Sequence, residues 1–453
     1  MFGIKKKAPK DEKGKKSSAG KSGKKSAKKS AKTKAPKPVP NGGRVSRTPH
    51  VGNGRKKKTV KGVFKGIGRF LKFIGLTGYH FTLDVEKRDS RRKYRLFGRT
   101  ITFAGFIITV ALLIVFLTTI LINRTVKIDK EQIIITGLHN DLEGYRILLI
   151  SDLNDRFYGQ DQSSLMRKLS GEKYDCVLIA GDMVGRSGDT DAFYALLEQL
   201  GTKKPVYFIA GDNDPSPLME IPRDNSSETL TLRQMVLSDW VLGAIDRGAV
   251  YLDTPQKITK GSATLWLMPD LYLNLNVGDA LDEYKEELAQ ESESYLEGVE
   301  RSKNTVPLTN YRRNNLYKSD SLISSVADKD LIIMLSHEVP SDAQLTDAVK
   351  AGTAGTKGFF PAPDLVLSGH YCGGEWKLPF IGSIYVSSNI LPRYGWFPDR
   401  NYVEGQRTVG SVSVYTTAGL SNNGDTLFFG RLNNPPKVSI LTLTGELPAS
   451  FLD

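Results

Sequence analysis

The sequence contains only two cysteines, Cys176 and Cys372, among its 453 residues. Two cysteines cannot form the disulfide framework that stabilises small secreted domains, so a hydrophobic core must stabilise this chain. With 40% hydrophobic residues, the chain has enough apolar material for one large domain or two ordinary ones. Cys176 lies inside an apolar run and is interpreted as a small core residue, which leaves Cys372 as the informative thiol.

Acidic residues are scarce in the first 100 positions, which carry 32 Lys and Arg against 5 Asp and Glu, whereas the remainder carries 31 against 44. The net charge of +14 therefore describes a basic tail joined to an acidic body. Residues 1–60 consist mostly of Lys, Ser, Ala, Gly and Pro, which predicts a disordered tail. Within the basic segment 61–100, residues 63–76 fit either an amphipathic helix on a membrane surface or, because of three glycines, a partly ordered linker.

Charged side chains are absent from residues 101–122, ITFAGFIITVALLIVFLTTILI. At roughly 1.5 Å per residue this run spans roughly 30 Å of hydrocarbon, which predicts a single transmembrane helix. It begins too far into the chain to be a cleavable signal peptide. Because the Lys and Arg excess precedes the helix, we expect a cytoplasmic tail and an extracytoplasmic body at the cell membrane.

The basic tail predicts contact with anionic lipid headgroups. Polylysine attracts nucleic acid as well, but this tail adjoins a membrane segment, so we do not expect a nucleic-acid partner.

Five short apolar runs without polar alternation follow, as expected for strands buried on both faces of a parallel or mixed sheet. The runs are 145–150, 174–180, 205–210, 330–335 and 364–368. Each is followed by polar residues that can bind a metal: Ser-Asp-Leu-Asn at 151–154, Gly-Asp at 181–182, Gly-Asp-Asn-Asp at 211–214, Ser-His at 336–337 and Gly-His-Tyr-Cys at 369–372. Because ligands bind outside the carboxyl ends of such strands, these five loops are expected to converge.

Any one of these loops has an ordinary explanation, since an Asp after a strand is often a helix N-cap and a lone His is often only hydrogen-bonded. Five such endings, which use two of the chain's five histidines, instead indicate a metal site. Glycines at 181, 211 and 369 would let the backbone turn sharply and approach an ion closely.

The order of these loops resembles the calcineurin-like metallophosphoesterases, in particular their membrane-anchored branch. The resemblance covers roughly residues 132–445 and implies an α/β fold, a two-sheet β-sandwich flanked by helices. It also implies hydrolysis of a phosphoester with one or two divalent ions, Mn, Fe or Zn. Asp182 would bridge the two ions. The other implied ligands are Asp152, Asn154 and Cys372 for the first ion, and Asp212, His337 and His370 for the second.

The sequence departs from the family pattern at four positions. Asn154 and Cys372 stand where the family has His, and Asp212 stands where it has Asn. The added negative charge would weaken the Lewis acidity of the ions, which leaves open slower turnover, a different metal or occupancy of the second site alone. Asn213 occupies the place of the histidine that assists the leaving group and cannot donate a proton to an alkoxide, and Asp214 could replace it only with a raised pKa.

The resemblance and the predicted membrane anchor together favour a hydrolase acting at the outer face of the membrane on an envelope or lipid-linked phosphate. The alternative is a catalytically impaired protein of the same fold that serves in binding or as a scaffold. An acidic helical insertion at about 271–329 fits a solvated decoration slightly better than a cover over the site. The Trp and Tyr residues of 391–402 fit a substrate-flanking role and a core role equally well.

Overall fold

The computed structural model describes residues 85–86, 93–96, 99–222, 233–296, 306–353, 358–378, 380–387, 395–422 and 430–445. The chain separates into two compact units, Met1–His80 and Phe81–Asp453, and every described residue belongs to the second. The predicted disordered tail at 1–60 and the predicted amphipathic helix at 63–76 therefore lie outside the described residues.

The described part of the chain contains eight α-helices and three short 3₁₀ helices. The α-helices are α1 Phe103–Ile122, α2 Ser163–Leu169, α3 Asp191–Leu200, α4 Asp239–Asp246, α5 Val277–Leu296, α6 Val306–Ile323, α7 Asp342–Thr353 and α8 Arg400–Val403. The 3₁₀ helices are Asn140–Leu142, Gln160–Gln162 and Asp270–Tyr272. Helices α5 and α6 lie in the segment 271–329 that the sequence predicts to be helical.

The first large sheet has six strands, and three of the predicted runs form its centre. In spatial order the strands are β10 Ala249–Tyr251, β7 Val206–Ile209, β6 Cys176–Ala180, β5 Arg146–Ile150, β20 Lys437–Thr444 and β4 Lys127–Ile134. Strands β10, β7, β6 and β5 are parallel, whereas β20 is antiparallel to β5 and parallel to β4. Strands β4 and β20 therefore begin at the edge of the sheet where β5 ends.

The second large sheet also has six strands and contains the other two predicted runs. In spatial order the strands are β11 Gln256–Lys260, β12 Ala263–Pro269, β13 Leu331–Leu335, β14 Leu365–Ser368, β19 Val412–Thr416 and β18 Gly405–Val409. The four central strands are parallel, and β11 and β18 close the edges in antiparallel pairing. All five predicted strands are confirmed, but they are divided between two sheets.

The two large sheets pack face to face around one buried cluster that includes Leu149 and Leu178 from the first sheet and Ile333 and Leu367 from the second. The outer face of the first sheet is covered by α2, α3 and α4, and that of the second by α5, α6 and α7. The result is a layered, mixed α/β arrangement of helices, sheet, sheet and helices. It agrees with the two-sheet sandwich that the resemblance implies.

Three smaller sheets complete the described strands. They are β1 Val85–Glu86, β2 Lys93–Leu96 and β3 Arg99–Thr102; the hairpin β8 Leu218–Pro222 and β9 Arg233–Leu237; and β15 Trp376–Leu378, β16 Gly382–Val386 and β17 Gly395–Trp396. The last of these follows the loop that carries His370 and Cys372.

Helix α1 begins at Phe103, two residues later than predicted, because Ile101 and Thr102 belong to strand β3. Its segment Gly105–Ile122 is long and apolar enough to cross a membrane, and only 6% of that segment is buried. Large side chains such as Leu121, which is 65% exposed, face outward along the helix.

The end of helix α1 is bonded directly to the folded domain. The side-chain amide of Asn123 donates to the carbonyl of Arg431 at 2.7 Å, and the carbonyl of Asn123 accepts from the guanidinium of Arg156 at 2.6 Å. Strand β4 begins only four residues after Asn123, at Lys127. Helix α1 therefore enters the domain at the edge of the first sheet where β5 ends.

Candidate metal centre

Four of the predicted ligands lie together at the carboxyl ends of β6, β7, β13 and β14. They are Asp182, Asp212, His337 and His370, and one ligand atom of each lies within 4.8 Å of the others. Nε2 of His337 is 2.9 Å from Oδ1 of Asp212 and 3.2 Å from Oδ2 of Asp182. Nδ1 of His370 is 3.1 Å from the same Asp212 oxygen. This group corresponds to the second predicted ion site with its bridging aspartate.

The ring of His337 is held in the tautomer that suits a metal ligand. Its Nδ1 lies 2.6 Å from the carbonyl oxygen of Ala180, which can only accept, so Nδ1 carries a proton and donates it. Nε2 is then left facing the two carboxylates. A backbone carbonyl that fixes the second nitrogen of a ligand histidine is the usual arrangement in metal sites.

The group opens to solvent on one side only. The side chain of Asp212 is 45% exposed, whereas those of His337, Asp182 and His370 are 8%, 2% and 2% exposed. A small anionic molecule could therefore approach these ligands past Asp212.

The charges of the group favour a bound cation. Burial acts to lower the pKa of His337, but the carboxylates of Asp182 and Asp212 hold this pKa well above its ordinary value. Burial likewise acts to raise the pKa of Asp212, but hydrogen bonds from His337 and His370 hold it well below its usual range. The group thus retains ionised carboxylates balanced by a proton that a divalent ion could replace.

Asn213 positions Asp182. Its backbone N–H donates to Oδ1 of Asp182 at 2.9 Å, and its side-chain amide donates to Oδ2 at 2.6 Å. The side-chain oxygen of Asn213 accepts from Nε of Arg186 at 2.6 Å. Arg186 was not among the site residues predicted from the sequence, although it follows Asp182 by only four positions and lies in the same loop. This exposed guanidinium brings positive charge to the side of the metal ligands.

Asp214 connects two of the site loops. Oδ1 accepts from the backbone N–H groups of Val184 and Gly185 at 2.8 and 3.0 Å, and Oδ2 accepts from that of Gly211 at 2.9 Å. Burial raises the pKa of this carboxyl, and the charge of Asp182 adds to the effect. Both oxygens nevertheless accept hydrogen bonds from the backbone, so Asp214 holds the loop of Asp182 and the loop of Asp212 together.

Asp152 is fully buried beside the four-ligand group without joining it. Its Oδ2 accepts from the hydroxyl of Ser151, and the backbone N–H of His370 lies 3.2 Å from each carboxylate oxygen. Burial raises the pKa of Asp152 to about 6, against the opposing charge of His337. The carboxylate is therefore close to the ion site but is directed at hydrogen-bond donors of the protein.

The other two residues of the first predicted ion site are also separate from the group. The thiol of Cys372 is buried, and its Sγ faces the carbonyl of His370 at 3.7 Å. Burial, helped by the charge of Asp152, raises the pKa of this thiol well above its ordinary value. The side chain of Asn154 packs against Gly185, and its backbone N–H donates to the carbonyl of Asp182 at 2.9 Å. The ligand roles of Asp152, Asn154 and Cys372 stay predictions.

The site loops are held in a conformation that few L-residues adopt. Five of the nine predicted site residues have positive φ, between 46° and 75°: Asp152, Asn154, Asp182, His370 and Cys372. Such conformations persist only where the surrounding structure enforces them, and they concentrate at functional sites. Two glycines permit the close approach of the loops. A Cβ at Gly181 would lie 2.7 Å from Nδ1 of His337, and one at Gly211 would lie 2.8 Å from Cγ of Asp182.

A cavity of about 240 Å³ lies next to the group, between the sheet edge and helices α5 and α6. Its lining includes Ala210, two residues before Asp212, and Asp270, whose Oδ2 accepts from Ser336 at 2.9 Å, but none of the four clustered ligands. The rest of its lining includes Tyr251, Tyr272, Tyr284, Tyr311 and Arg312. Helices α5 and α6 therefore form one wall of a space beside the ligands.

The model of the calcineurin-like phosphoesterase family matches residues 145–373, which hold all four clustered ligands and half of the chain. The chain belongs to this family. Calcineurin-like phosphoesterases use divalent metal ions, and the four-ligand group gives this member a place to hold one. The resemblance inferred from the loop order is thereby confirmed.

Among curated proteins, this chain is similar to the uncharacterized metallophosphoesterase YkuE of Bacillus subtilis (strain 168). The two are 32% identical over 124 residues, which is 27% of this chain. The match spans about a third of the length of that relative, 35%.

Among solved structures, the phosphopantetheinyl hydrolase PptH of Mycobacterium tuberculosis aligns with 64% of this chain and 96% of its own, at 9% identity and a TM-score of 0.28. The calcineurin-like phosphoesterase YfkN of Bacillus subtilis aligns with 65% of this chain and 80% of its own, at 11% identity and a TM-score of 0.20.

Proposed function

We propose that this protein is a metal-dependent phosphoester hydrolase acting at the outer face of a membrane on an envelope or lipid-linked phosphate. The observation that carries the proposal is the convergence of Asp182, Asp212, His337 and His370 on one point that is open on the Asp212 side. One ion, Mn, Fe or Zn, held by these four residues would polarise a phosphoryl oxygen. It would also lower the pKa of a water molecule, so that the water could lose a proton and attack phosphorus.

The surrounding residues orient the ligands and attract the substrate. Asn213 fixes both oxygens of Asp182, and the Ala180 carbonyl fixes His337, so two ligands are held before an ion binds. The guanidinium of Arg186 lies on the exposed side of Asn213, where it would attract the negative charge of a phosphoryl group.

The leaving group would receive little help from the protein. The amide of Asn213 is engaged with Asp182, and both oxygens of Asp214 accept backbone N–H groups. Neither side chain is directed to protonate an alkoxide, and the loss of a general acid costs roughly 10² to 10⁴ in rate. We therefore propose slow turnover that favours substrates with good leaving groups.

A membrane substrate is favoured by where helix α1 enters the domain. Strand β4 starts beside Lys437 of β20, and β20 starts beside the end of β5, so the helix and the loop of Asp152 lie at the same sheet edge. Three strand spacings of about 4.8 Å separate β4 from β6, which places the Asp182 loop roughly 14 Å to the side of the helix entry. If α1 crosses the membrane, the metal centre faces its surface.

The second candidate function is a binding or scaffold protein that keeps the fold without turnover. The position of Asp152 favours it, because this carboxylate is fully buried and bonded to Ser151 and the His370 backbone instead of joining the ion ligands. In this case the domain would bind an ion and a phosphate but release no product.

Hydrolysis of an aryl phosphate by the purified full chain, loaded separately with Mn, Fe and Zn, distinguishes the two candidates. We expect activity above that of Asp182→Ala, which removes a ligand. Rates equal to those of Asp182→Ala with every metal, together with stoichiometric metal binding, would leave only the binding function.

Membrane orientation is tested by protease protection of tags at the two chain ends. The tags should place Lys5 inside and Asp453 outside; the reverse orientation would exclude an outer-face substrate.

A further inference from the structure

The small sheet β15–β17 carries an exposed apolar surface near its turns. This surface, the apolar tip, consists of Leu378, Phe380, Ile381, Trp396 and Phe397, whose exposed fractions are 40%, 109%, 44%, 59% and 72%. Single exposed apolar side chains are common, but five on one small sheet, three of them aromatic, mark a contact surface. The backbone N–H of Phe397 donates to Ile384 at 2.8 Å, so the two parts of the tip are held on one sheet.

The base of the apolar tip is rigid. The indole of Trp396 packs on Tyr385 with ring centres 5.1 Å apart and on Trp376 with ring centres 5.8 Å apart. The indole N–H of Trp376 donates to the carbonyl of Gly430 at 3.0 Å, and the backbone N–H of Lys377 donates to that of Leu432 at 3.0 Å. The exposed rings therefore project from a structured platform.

That platform is joined to the end of helix α1. Segment 430–432, to which β15 is bonded, includes Arg431, and the carbonyl of Arg431 accepts from the side chain of Asn123 directly after the helix. The guanidinium of Arg431 is itself fully buried and donates to the carbonyls of Ala418 and Gly419 at 2.8 and 3.2 Å. The base of the tip and the end of the helix are thus fixed to the same short segment.

A chain of ion pairs makes a second connection. Lys377 of β15 pairs with Glu404, Glu404 pairs with Lys437 at the start of β20, and Lys437 pairs with Asp129 of β4 at 2.8 Å. These four side chains are largely shielded from solvent, so water screens their attraction less than it would at an open surface. The apolar tip therefore lies at the same sheet edge as the entry of helix α1.

We propose that the apolar tip inserts into the outer interface of the bilayer that α1 crosses, so that the domain touches the membrane at two points. This inference rests on the membrane span proposed above. Trp is enriched at the headgroup region of bilayers, and Phe and Leu are common on the apolar faces of segments that lie in that region. Lipid is the fitting partner because the exposed side chains of the tip and of α1 belong to one rigidly joined part of the molecule.

A two-point contact would fix the height and tilt of the metal centre above the bilayer. Leu378 follows His370 by only eight residues, and β15 is separated from the Cys372 loop by Gly373, Gly374 and Glu375. A molecule held by α1 alone could change its tilt in the bilayer, whereas one held also by the tip presents its Asp212 opening at a constant angle. The tip would thus orient the site toward phosphate groups at the lipid surface.

Nitroxide labels on the full chain in lipid nanodiscs test this proposal. Cysteine is introduced at Phe380 or Phe397, and the accessibility of each label to oxygen, which partitions into lipid, is compared with that to a water-soluble nickel chelate. The matched control is Leu242→Cys, because Leu242 is 43% exposed on α4. Helix α4 packs beside β10, and β10 and β4, which follows α1, are the two outermost strands of the first sheet. The two natural cysteines are buried, so unchanged protein reports background labelling.

Labels at Phe380 and Phe397 should show an oxygen-to-nickel accessibility ratio several-fold above that at Leu242. A ratio equal to that at Leu242 would overturn the proposal. Low accessibility of the tip labels to both reagents would mean that protein covers the tip. Spin–spin broadening would identify that protein as a second copy of this chain, and either result overturns the proposal.

A label at Leu113→Cys, in the middle of α1, separates failure of the tip contact from failure of the membrane span. A lipid-exposed label at Leu113 with water-exposed tip labels rejects the tip contact alone, whereas a water-exposed label at Leu113 rejects the membrane span.

Discussion

Nε2 of His337 lies 3.0 Å from Nδ1 of His370, and one oxygen of Asp212 contacts both nitrogens. Since Nδ1 of His337 donates to Ala180, its Nε2 either carries a second proton, accepts a hydrogen bond or binds a metal ion. The carboxylates of Asp182 and Asp212 favour the doubly protonated ring. A proton on Nε2 must leave before a metal ion can bind there, so the structure links metal binding to proton release.

We expect binding of Mn or Zn to release a proton and to weaken as the pH falls. The carboxylates raise the pKa of His337, so below that pKa the proton competes with the ion, and above it the competition disappears. Calorimetry in buffers of different ionisation enthalpy measures the released proton, and elemental analysis measures the bound metal. His370→Ala should lose the metal and His139→Ala should retain it, because His139 is a half-buried histidine outside the site, 3.4 Å from the hydroxyl of Ser262. Metal affinity that is independent of pH would contradict this expectation.

Replacing Asn213 by alanine should weaken metal binding by roughly 10- to 100-fold, the usual effect of removing a group that orients a ligand. The variant loses the 2.6 Å bond to Oδ2 of Asp182, although its backbone bond to Oδ1 remains. Asn140→Ala, an exposed asparagine outside the site, is the matched control. Equal affinities in competition with a chelator would show that Asn213 does not position Asp182.

Gly211→Ala should abolish metal binding while Gly171→Ala should leave it unchanged. A Cβ at Gly211 would collide with the carboxylate and backbone of Asp182, whereas one at Gly171 meets nothing within 4 Å. Neither glycine has a positive φ, so backbone strain does not distinguish the two substitutions. Metal content measured on folded, monodisperse protein checks the result, and normal content in Gly211→Ala would show that the loops can separate without losing the ion.

Asp152→Asn should stabilise the metal-free protein at neutral pH. The folded pKa of about 6 lies above the unfolded value near 3.8, so the ionised form is disfavoured by burial. The gain should be absent below pH 4, grow between pH 4 and 6, and remain constant above, reaching at most roughly 3 kcal/mol at 1.36 kcal/mol per pKa unit. Urea unfolding at several pH values measures it. If excess metal reverses the sign, Asp152 is a ligand after all.

Cobalt loading should give no sulfur-to-metal charge-transfer absorption, because Cys372 is outside the four-ligand group and its buried thiol resists ionisation. The spectrum of Cys372→Ser should match that of the unchanged protein. A near-ultraviolet charge-transfer band that Cys372→Ser removes would instead establish the first ion site with a thiolate ligand.

The sequence alone predicted the elements that depend on local pattern. A strand buried on both faces is apolar at most positions, so the five runs were recognisable without partners, and the polar residues at or after the end of each run marked where the strand ends. The uncharged run at 101–122 likewise determined a long apolar helix, within two residues of its observed start.

The sequence did not determine which sheet each strand joins. The runs at 145–150 and 330–335 have the same length and each contains two Ile and two Leu, yet β5 lies in the first sheet and β13 in the second. Their assignment depends on β20 at the end of the chain, which pairs with β5 and β4, and on β12, which pairs with β13. Such pairings join residues far apart in the chain and leave no trace in a local pattern.

Tertiary structure also decided which of the predicted residues join the metal-ligand group, because this depends on contacts between residues far apart in the chain. Loop order nominated nine residues, but only four turn their ligand atoms toward one point, while Asn213 turns to Asp182 and Asp214 to backbone. The ring of Trp396, which the sequence left between substrate contact and core, was placed at the surface by its sheet. Composition determines whether a side chain is suited to burial or to metal binding, but its direction depends on backbone angles that distant contacts impose.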